Sequence, residues 1–122
     1  MPFIDFDRLH GEATRLLSTL NLDLPVRRYV RGLNVAGQQM VEIAKALSRD
    51  ARILILDEPS AVLTPHELRN LFALVRDLTR RGVSVLYISH RLDEVFDIAD
   101  TVTVLRDGLH ISTRPVSQVD RG

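Results

Sequence analysis

The expected fold is decided by one stretch of the sequence, Arg52-Ile53-Leu54-Ile55-Leu56-Asp57-Glu58-Pro59. Its continuous apolar run has the length of one strand and is typical of a strand covered on both faces in a parallel sheet. Two adjacent carboxylates follow the run directly, and Pro59 ends the strand. Because ligands of open α/β sheets bind beyond the carboxyl ends of the strands, Asp57 and Glu58 lie at the expected functional edge.

A strand–helix–strand unit is predicted around this stretch. Thr64-Pro65-His66-Glu67 combines an N-cap threonine, a proline at the first helical position and a glutamate three residues after the cap, so a helix begins there. Gly82 ends this helix, and Val83 to Ile88 then form a second buried strand that leads into Ser89-His90. Short crossovers of this kind are right-handed, and they predict an α/β fold with a parallel sheet.

Helices precede this unit and a hairpin follows it. The apolar spacing of three and four predicts helices, and Asp107-Gly108 is a strong hairpin turn. The remaining predicted elements are a helical arm from Phe6 to Leu20, a helix from the N-cap residue Asn34 to about Ser48, a short helix around 92–99, and strands at 101–106 and 109–113.

Composition excludes several classes of protein. The 122 residues carry 16 basic and 16 acidic side chains, so nothing indicates a nucleic-acid groove or an anionic lipid surface. The absence of cysteine excludes a disulfide framework and thiolate metal sites, and the four histidines show no ligand spacing. No apolar run approaches the roughly 20 residues that cross a bilayer. We therefore expect one globular, soluble and cytoplasmic domain.

The residues at the sheet edge suit phosphate chemistry. Asp57 can hold Mg²⁺ through its water shell, Glu58 can polarise an attacking water, and His90 can sense a terminal phosphate. Each residue taken alone has a simpler interpretation, since Asp-Glu-Pro can be a polar turn and His90 a helix-start residue. Their joint placement at one edge favours the phosphate interpretation.

Four motifs, in this order and spacing, resemble those of the ATP-binding cassette (ABC) ATPases. They are Leu33-Asn34-Val35-Ala36-Gly37-Gln38-Gln39 as the signature, Ile53 to Glu58 as the Walker B strand, Ser60-Ala61-Val62-Leu63-Thr64 as the D-loop, and Ile88-Ser89-His90 as the switch-histidine loop. The continuation from Gln38 to Leu47 resembles in particular the ATPases of bacterial monosaccharide importers. The resemblance implies a P-loop NTPase-like parallel sheet with flanking helices, the C-terminal part of an ABC nucleotide-binding domain, preceded by part of its helical subdomain.

The resemblance also implies a division of the chain and a set of roles. Residues 1–50 correspond to the helical arm and signature helix, and residues 51–122 to the Walker B, D-loop and switch-histidine portion. Glu58 and His90 take catalytic roles, and Asp57 binds the nucleotide's Mg²⁺ through water. Asn34, Val35 and Ala36 form the cofactor-binding turn that grips a phosphate of ATP held by the opposite cassette; as a helix N-terminus, such a turn is an anion site.

The same resemblance implies partners and a location. They are a second ABC ATPase domain and membrane permease subunits, at the inner face of the cell membrane, with no nucleic acid and no direct insertion into the bilayer. Three positions depart from the family: Asn34 replaces the usual serine, Gly37 the usual glutamine, and Thr64 a frequent aspartate.

The 122 residues contain no Gly-x-x-x-x-Gly-Lys-Ser/Thr phosphate loop, because the only lysine is Lys45. We therefore expect an incomplete cassette, inactive alone, from the ATP-hydrolysing subunit of a sugar importer. An alternative is a non-catalytic truncated remnant or regulatory module that pairs with an intact cassette or permease. A further alternative, an ATPase of DNA repair or chromosome maintenance, is disfavoured by the short arm.

Overall fold

The computed structural model describes residues 3–120, and residues 1, 2, 121 and 122 of the expected domain ranges lie outside that part. Helices and strands follow the predicted order, with boundaries that agree to within a residue or two. The elements are α1 (Phe6–Thr19), a 3₁₀ turn (Val30–Gly32), α2 (Val35–Leu47), β1 (Ile53–Asp57), α3 (Pro65–Arg80), β2 (Ser84–Ile88), α4 (Leu92–Ile98), β3 (Thr101–Arg106), β4 (Leu109–Pro115) and a second 3₁₀ turn (Val116–Gln118).

The strands β1 and β2 form a parallel pair connected through α3. Ile53 lies opposite Ser84, and Asp57 lies opposite Ile88. Since both strands run in the same direction, the residues that follow Asp57 and Ile88 leave the sheet at the same edge. The structure therefore confirms the predicted strand–helix–strand unit and brings the Glu58 and His90 segments to one edge.

Local signals fix both ends of α3. The hydroxyl of Thr64 accepts the N–H of Glu67 at 3.3 Å, and the Glu67 carboxylate accepts the N–H of Thr64 at 2.9 Å, which completes a capping box. At the other end Gly82 has a φ of 90°, and the N–H of Val83 donates to the carbonyl of Leu78 at 3.0 Å. This is the Schellman arrangement, in which a glycine without a Cβ ends the helix.

The core lies between α3 and one face of the β1–β2 pair. Leu71 of α3 is fully buried, at 0% exposure. The buried apolar cluster consists of Leu20, Ile43, Ala44, Leu54, Leu56, Leu71, Leu74, Val75 and Leu78. Because Leu20 ends the helical arm and the other members lie on α2, β1 and α3, this cluster joins the arm and α2 to the sheet.

The other face of the β1–β2 pair is exposed, contrary to the expectation of a strand covered on both faces. Ile53 and Ile55 are each 62% exposed, and their neighbours Leu86 and Ile88 are 56% and 48% exposed. Side chains alternate between the faces of a strand, so these four point away from α3. Within residues 3–120, α3 covers only one face, which is why the expectation is wrong for this part of the chain.

The strands β3 and β4 form a separate antiparallel sheet. The turn between them is Asp107-Gly108, whose φ angles of 51° and 76° fit a type I′ hairpin. Among the described residues, the parallel sheet therefore contains β1 and β2, and the last two strands pair with each other. None of the helices within residues 3–120 combines the length and the hydropathy of a membrane-spanning segment.

Candidate functional site

Two side chains that the sequence assigns to phosphate chemistry meet at the carboxyl edge of the sheet. Oε1 of Glu58 lies 2.9 Å from Nδ1 of His90, a hydrogen bond when Nδ1 carries the proton. The His90 side chain is 82% exposed and that of Glu58 37%, so both are accessible to a ligand. An exposed pair of this kind contributes little to stability. Its accessibility at the edge makes this pair the centre of the candidate site.

The backbone at Glu58 turns the chain out of β1. Its N–H donates to the carbonyl of Ile88 at 2.9 Å, which extends the parallel ladder, and its carbonyl accepts the N–H of Ala61 at 3.3 Å. Glu58 has a φ of 46°, the left-handed region that side chains with a Cβ rarely adopt. This conformation costs about 1 kcal/mol, and such strain concentrates at functional sites.

Asp57, the last residue of β1, is the expected holder of Mg²⁺. Its side chain is exposed and lies one residue before Glu58. Residues 3–120 contain no cluster of three His, Cys, Asp or Glu side chains that could bind a metal by themselves. Mg²⁺ is usually held by one or two carboxylates together with water and substrate phosphates, so a single carboxylate here fits a nucleotide-bound Mg²⁺.

The signature residues form the first turn of α2. Oδ1 of Asn34 accepts the N–H of Gly37 at 2.9 Å, so the predicted N-cap is present. Within the described part of the chain, the N–H groups of Val35 and Ala36 make no hydrogen bond. Free N–H groups at the positive end of a helix dipole fit an anion such as a phosphate.

The two departures from the family's signature, at Asn34 and Gly37, are sterically related. A Cβ on Gly37 would lie 3.0 Å from Oδ1 of Asn34 and 3.2 Å from Cβ of Leu33. Contacts that close require the neighbouring atoms to shift. The longer cap of Asn34 therefore uses space that a residue with a side chain at position 37 would occupy.

Asn34 also connects α2 to the start of α3. Its Nδ2 donates to Oε1 of Glu67 at 3.2 Å, while the other Glu67 oxygen stays in the capping box with Thr64. The hydrogen bonds from the Thr64 backbone and hydroxyl hold the pKa of Glu67 below its usual range. The structure thus links Asn34 to Glu67. The side-chain hydrogen bonds of Asn34, to Gly37 and to Glu67, do not involve Glu58 or His90.

A third cluster of polar side chains surrounds Glu94, and the sequence did not predict it. The Glu94 carboxylate accepts hydrogen bonds from the hydroxyls of Ser60 at 2.7 Å, Tyr87 at 2.9 Å and Ser89 at 3.2 Å. Burial and the bond to Glu94 raise the pKa of Tyr87 well above its usual value, so the phenol remains a donor. Tyr87 lies in the strand that the sequence predicts to be buried, and the structure shows it half-buried with its hydroxyl in a polar cluster.

Comparison with solved structures defines the class of protein. The chain matches an ATP-binding cassette of an ABC transporter with a TM-score of 0.80 and 28% identity, over 97% of this chain and 46% of that one. The parallel pair with flanking helices is therefore part of an ABC ATPase cassette. No model of a protein family matches the chain.

Curated relatives specify the group further. The chain is 54% identical over 111 residues to the xylose import ATP-binding protein XylG of Photobacterium profundum, which covers 91% of this chain and 22% of that protein. It is 50% identical over 115 residues to the ribose import ATP-binding protein RbsA of Burkholderia mallei, covering 94% of this chain and 23% of the relative. The chain is homologous to sugar import ATP-binding proteins and shares the fold of ABC ATPase cassettes. It spans less than a quarter of the length of these relatives.

Proposed function

We propose that this chain is part of the ATP-binding and ATP-hydrolysing subunit of an ABC importer for a sugar, which couples hydrolysis to transport. The observation that carries this proposal is the 2.9 Å contact between Glu58 and His90 beside Asp57, at the edge where a parallel sheet binds ligands. The sugar is supported by relatives named for the import of xylose and ribose.

Three residues at the sheet edge have distinct roles in the proposed reaction. Glu58 acts as the general base that takes a proton from the attacking water, and its strained turn holds the carboxylate at the edge. In the proposed complex the ring N–H of His90 donates to the terminal phosphate in place of Glu58, because a neutral imidazole has a single N–H. Asp57 holds the nucleotide's Mg²⁺ through water. When bound, Mg²⁺ supplies positive charge that offsets the charge on the phosphate oxygens.

The signature turn serves a second nucleotide site. The free N–H groups of Val35 and Ala36, with the Asn34 cap, bind a phosphate of the ATP held by an opposite cassette. This role requires a cassette dimer. We further propose that permease subunits hold that dimer at the inner face of the cell membrane.

The 122-residue chain by itself does not hydrolyse ATP in this proposal. A phosphate loop presents backbone amides and a lysine to the phosphates, and the only lysine of this sequence, Lys45, pairs with Glu42 at 3.5 Å on α2. The alternative function is a non-catalytic remnant or regulatory module that pairs with an intact cassette or permease. Both functions predict an inactive chain, so the deciding experiment must supply the phosphate loop.

The experiment is a chimera in which this chain replaces the 111 residues aligned with it in the xylose import ATP-binding protein of Photobacterium profundum. We expect Mg²⁺-dependent ATP hydrolysis by the chimera and none by the purified chain. Glu58→Gln in the chimera should lower kcat by about 10²–10⁴-fold, since that is the usual contribution of a general base, while ATP stays bound.

The matched control is Glu42→Gln, which makes the same change at an exposed carboxylate on α2. We expect its kcat to equal that of the chimera. A folded chimera that binds ATP without hydrolysing it would favour the remnant. Normal hydrolysis after Glu58→Gln would remove Glu58 from the role of base.

A further inference from the structure

Glu94 on α4 is a buried carboxylate to which the proposed function gives no role. The residue is 3% exposed. Its Oε2 accepts the hydroxyl hydrogen bonds of Ser60, Tyr87 and Ser89, and its Oε1 forms an ion pair with Nη1 of Arg91 at 2.8 Å, without hydrogen-bond geometry. A buried carboxylate is costly unless it is paired and hydrogen-bonded, so this cluster is what keeps the charge in the interior.

The partners of Glu94 come from both segments that carry the Glu58–His90 pair. Ser60 lies two residues after Glu58, and Ser89 lies immediately before His90. The Ser89 hydroxyl also accepts the N–H of Arg91 at 3.0 Å, which closes a small turn around His90. One carboxylate therefore binds the segment on each side of the pair.

The pair itself is too weak to hold those segments together. Its two side chains are exposed, and exposed pairs compete with water and are screened by salt. The bond from Ser60 to Glu94 is buried and those from Tyr87 and Ser89 are part-buried, and the loss of a partner is more costly where water is excluded. The ladder bond from the Glu58 N–H to the Ile88 carbonyl aligns the two backbones, and Glu94 joins the side chains on either side of the pair without touching Glu58 or His90.

We propose that Glu94 is a positioning residue that sets the spacing of Glu58 and His90 by anchoring residues 58–60 and 88–91 to one buried carboxylate. Its link to hydrolysis rests on the proposed function. The anchoring itself is a property of the 122-residue chain and is testable without any activity.

The first test uses Glu94→Gln in the 122-residue chain, with hydrogen exchange and NMR as readouts. Glutamine has the same shape but puts an N–H donor where the carboxylate accepted several hydrogen bonds. We expect the Arg91 and Ala61 amides to exchange at least about tenfold faster, because local opening then requires fewer buried hydrogen bonds to break. Amides in the middle of α3 should change less than about twofold, which separates this effect from a general loss of stability.

The side-chain signal of His90 reports the positioning directly. Glu58→Gln defines how far the ¹⁵Nδ1 signal of His90 moves when its partner changes. We expect Glu94→Gln to move the same signal in the same direction, although Glu94 does not touch His90. Asp93→Asn is the matched control, since it removes an exposed acid next to Glu94 on α4 and should leave the signal unchanged.

A milder pair of variants keeps the test decisive if Glu94→Gln does not fold. Ser60→Ala and Ser89→Ala each remove one hydroxyl and leave the carboxylate in place. Each should produce part of the same NMR shift. A folded variant of any of these three in which the His90 signal and the two loop amides stay as in the parent would overturn the proposal.

The chimera described above supplies the functional arm. There, Glu94→Gln should lower kcat by roughly 10- to 100-fold with little change in KM for ATP, because misplaced reacting groups slow the chemical step. An inactive parent chimera would count against the proposed function while the NMR result still decides the anchoring. An unchanged kcat together with an unchanged His90 signal would reject the positioning role alone.

Discussion

Replacing Leu54 and Ile55 in turn by alanine tests the one-sided burial of β1. The two residues are adjacent, but Leu54 is 6% exposed beneath α3 and Ile55 is 62% exposed on the open face. Truncating a buried leucine costs about 2–5 kcal/mol through lost burial and the cavity that remains. We therefore expect Leu54→Ala to lower the free energy of unfolding by roughly 3 kcal/mol, a large fraction of the stability of a small domain.

Ile55→Ala should cost much less. Only about two-fifths of this residue is removed from water, so the same range scales to roughly 1 kcal/mol. The assay is urea unfolding of the 122-residue chain followed by far-UV circular dichroism, with the slope m unchanged between variants. For a chain of this size, 1 kcal/mol corresponds to about 4 °C in Tm, so the two variants should differ by roughly 8 °C.

Equal losses from the two substitutions would refute the reasoning. That result would mean that the open face carrying Ile55 is covered in solution. Unfolding at a tenfold lower protein concentration then identifies a second copy as the cover, because a stabilising association weakens on dilution. A loss that does not change on dilution would place the cover within the same chain.

Two further predictions concern α2 and α3. Glu67→Gln should lower the free energy of unfolding at pH 7 and make that free energy fall less steeply in acid. Hydrogen bonds from Thr64 hold the pKa of Glu67 below its ordinary 4.5. The stability that the ionised carboxylate contributes is therefore present above that value and is lost as the pH falls through the lowered pKa. Parallel curves of urea midpoint against pH for parent and variant would contradict this. Gly37→Ala should be more favourable in the Asn34→Ala variant than in the native chain by about 0.5–1 kcal/mol, because the new Cβ meets Oδ1 of Asn34 at 3.0 Å only in the native chain, while its 3.2 Å contact with Cβ of Leu33 is common to both. An equal effect in both backgrounds, measured by urea unfolding, would remove that coupling.

Local chemistry made much of the fold predictable. The ends of α3 follow from a capping box and a left-handed glycine, which involve residues a few positions apart. The strand β1 was identified from its apolar run, and the run ends at the edge where Glu58 and His90 meet. The apolar run could not indicate that one face of the β1–β2 strand pair stays exposed, because that depends on which other elements pack against the strands.

The Glu94 cluster could not be found in the same way. On a helical wheel Glu94 lies opposite the stripe of Leu92, Val95, Phe96 and Ala99, so periodicity predicts a solvent-exposed side chain. The structure buries Glu94 instead and leaves Leu92 66% exposed. In a helix of only seven residues, hydrogen bonds to side chains from distant segments outweighed the apolar stripe.

The left-handed backbone of Glu58 has a consequence for how this sequence changes over generations. Glycine or asparagine at position 58 would relieve about 1 kcal/mol of backbone strain and remove the carboxylate. A lineage released from selection for hydrolysis would therefore gain stability by losing Glu58, and selection for folding alone would favour that loss. Mutational scanning for folding alone should enrich those two replacements, whereas scanning for hydrolysis in the chimera should eliminate them. The identity of residue 58 thus records which of the two pressures acts on a lineage.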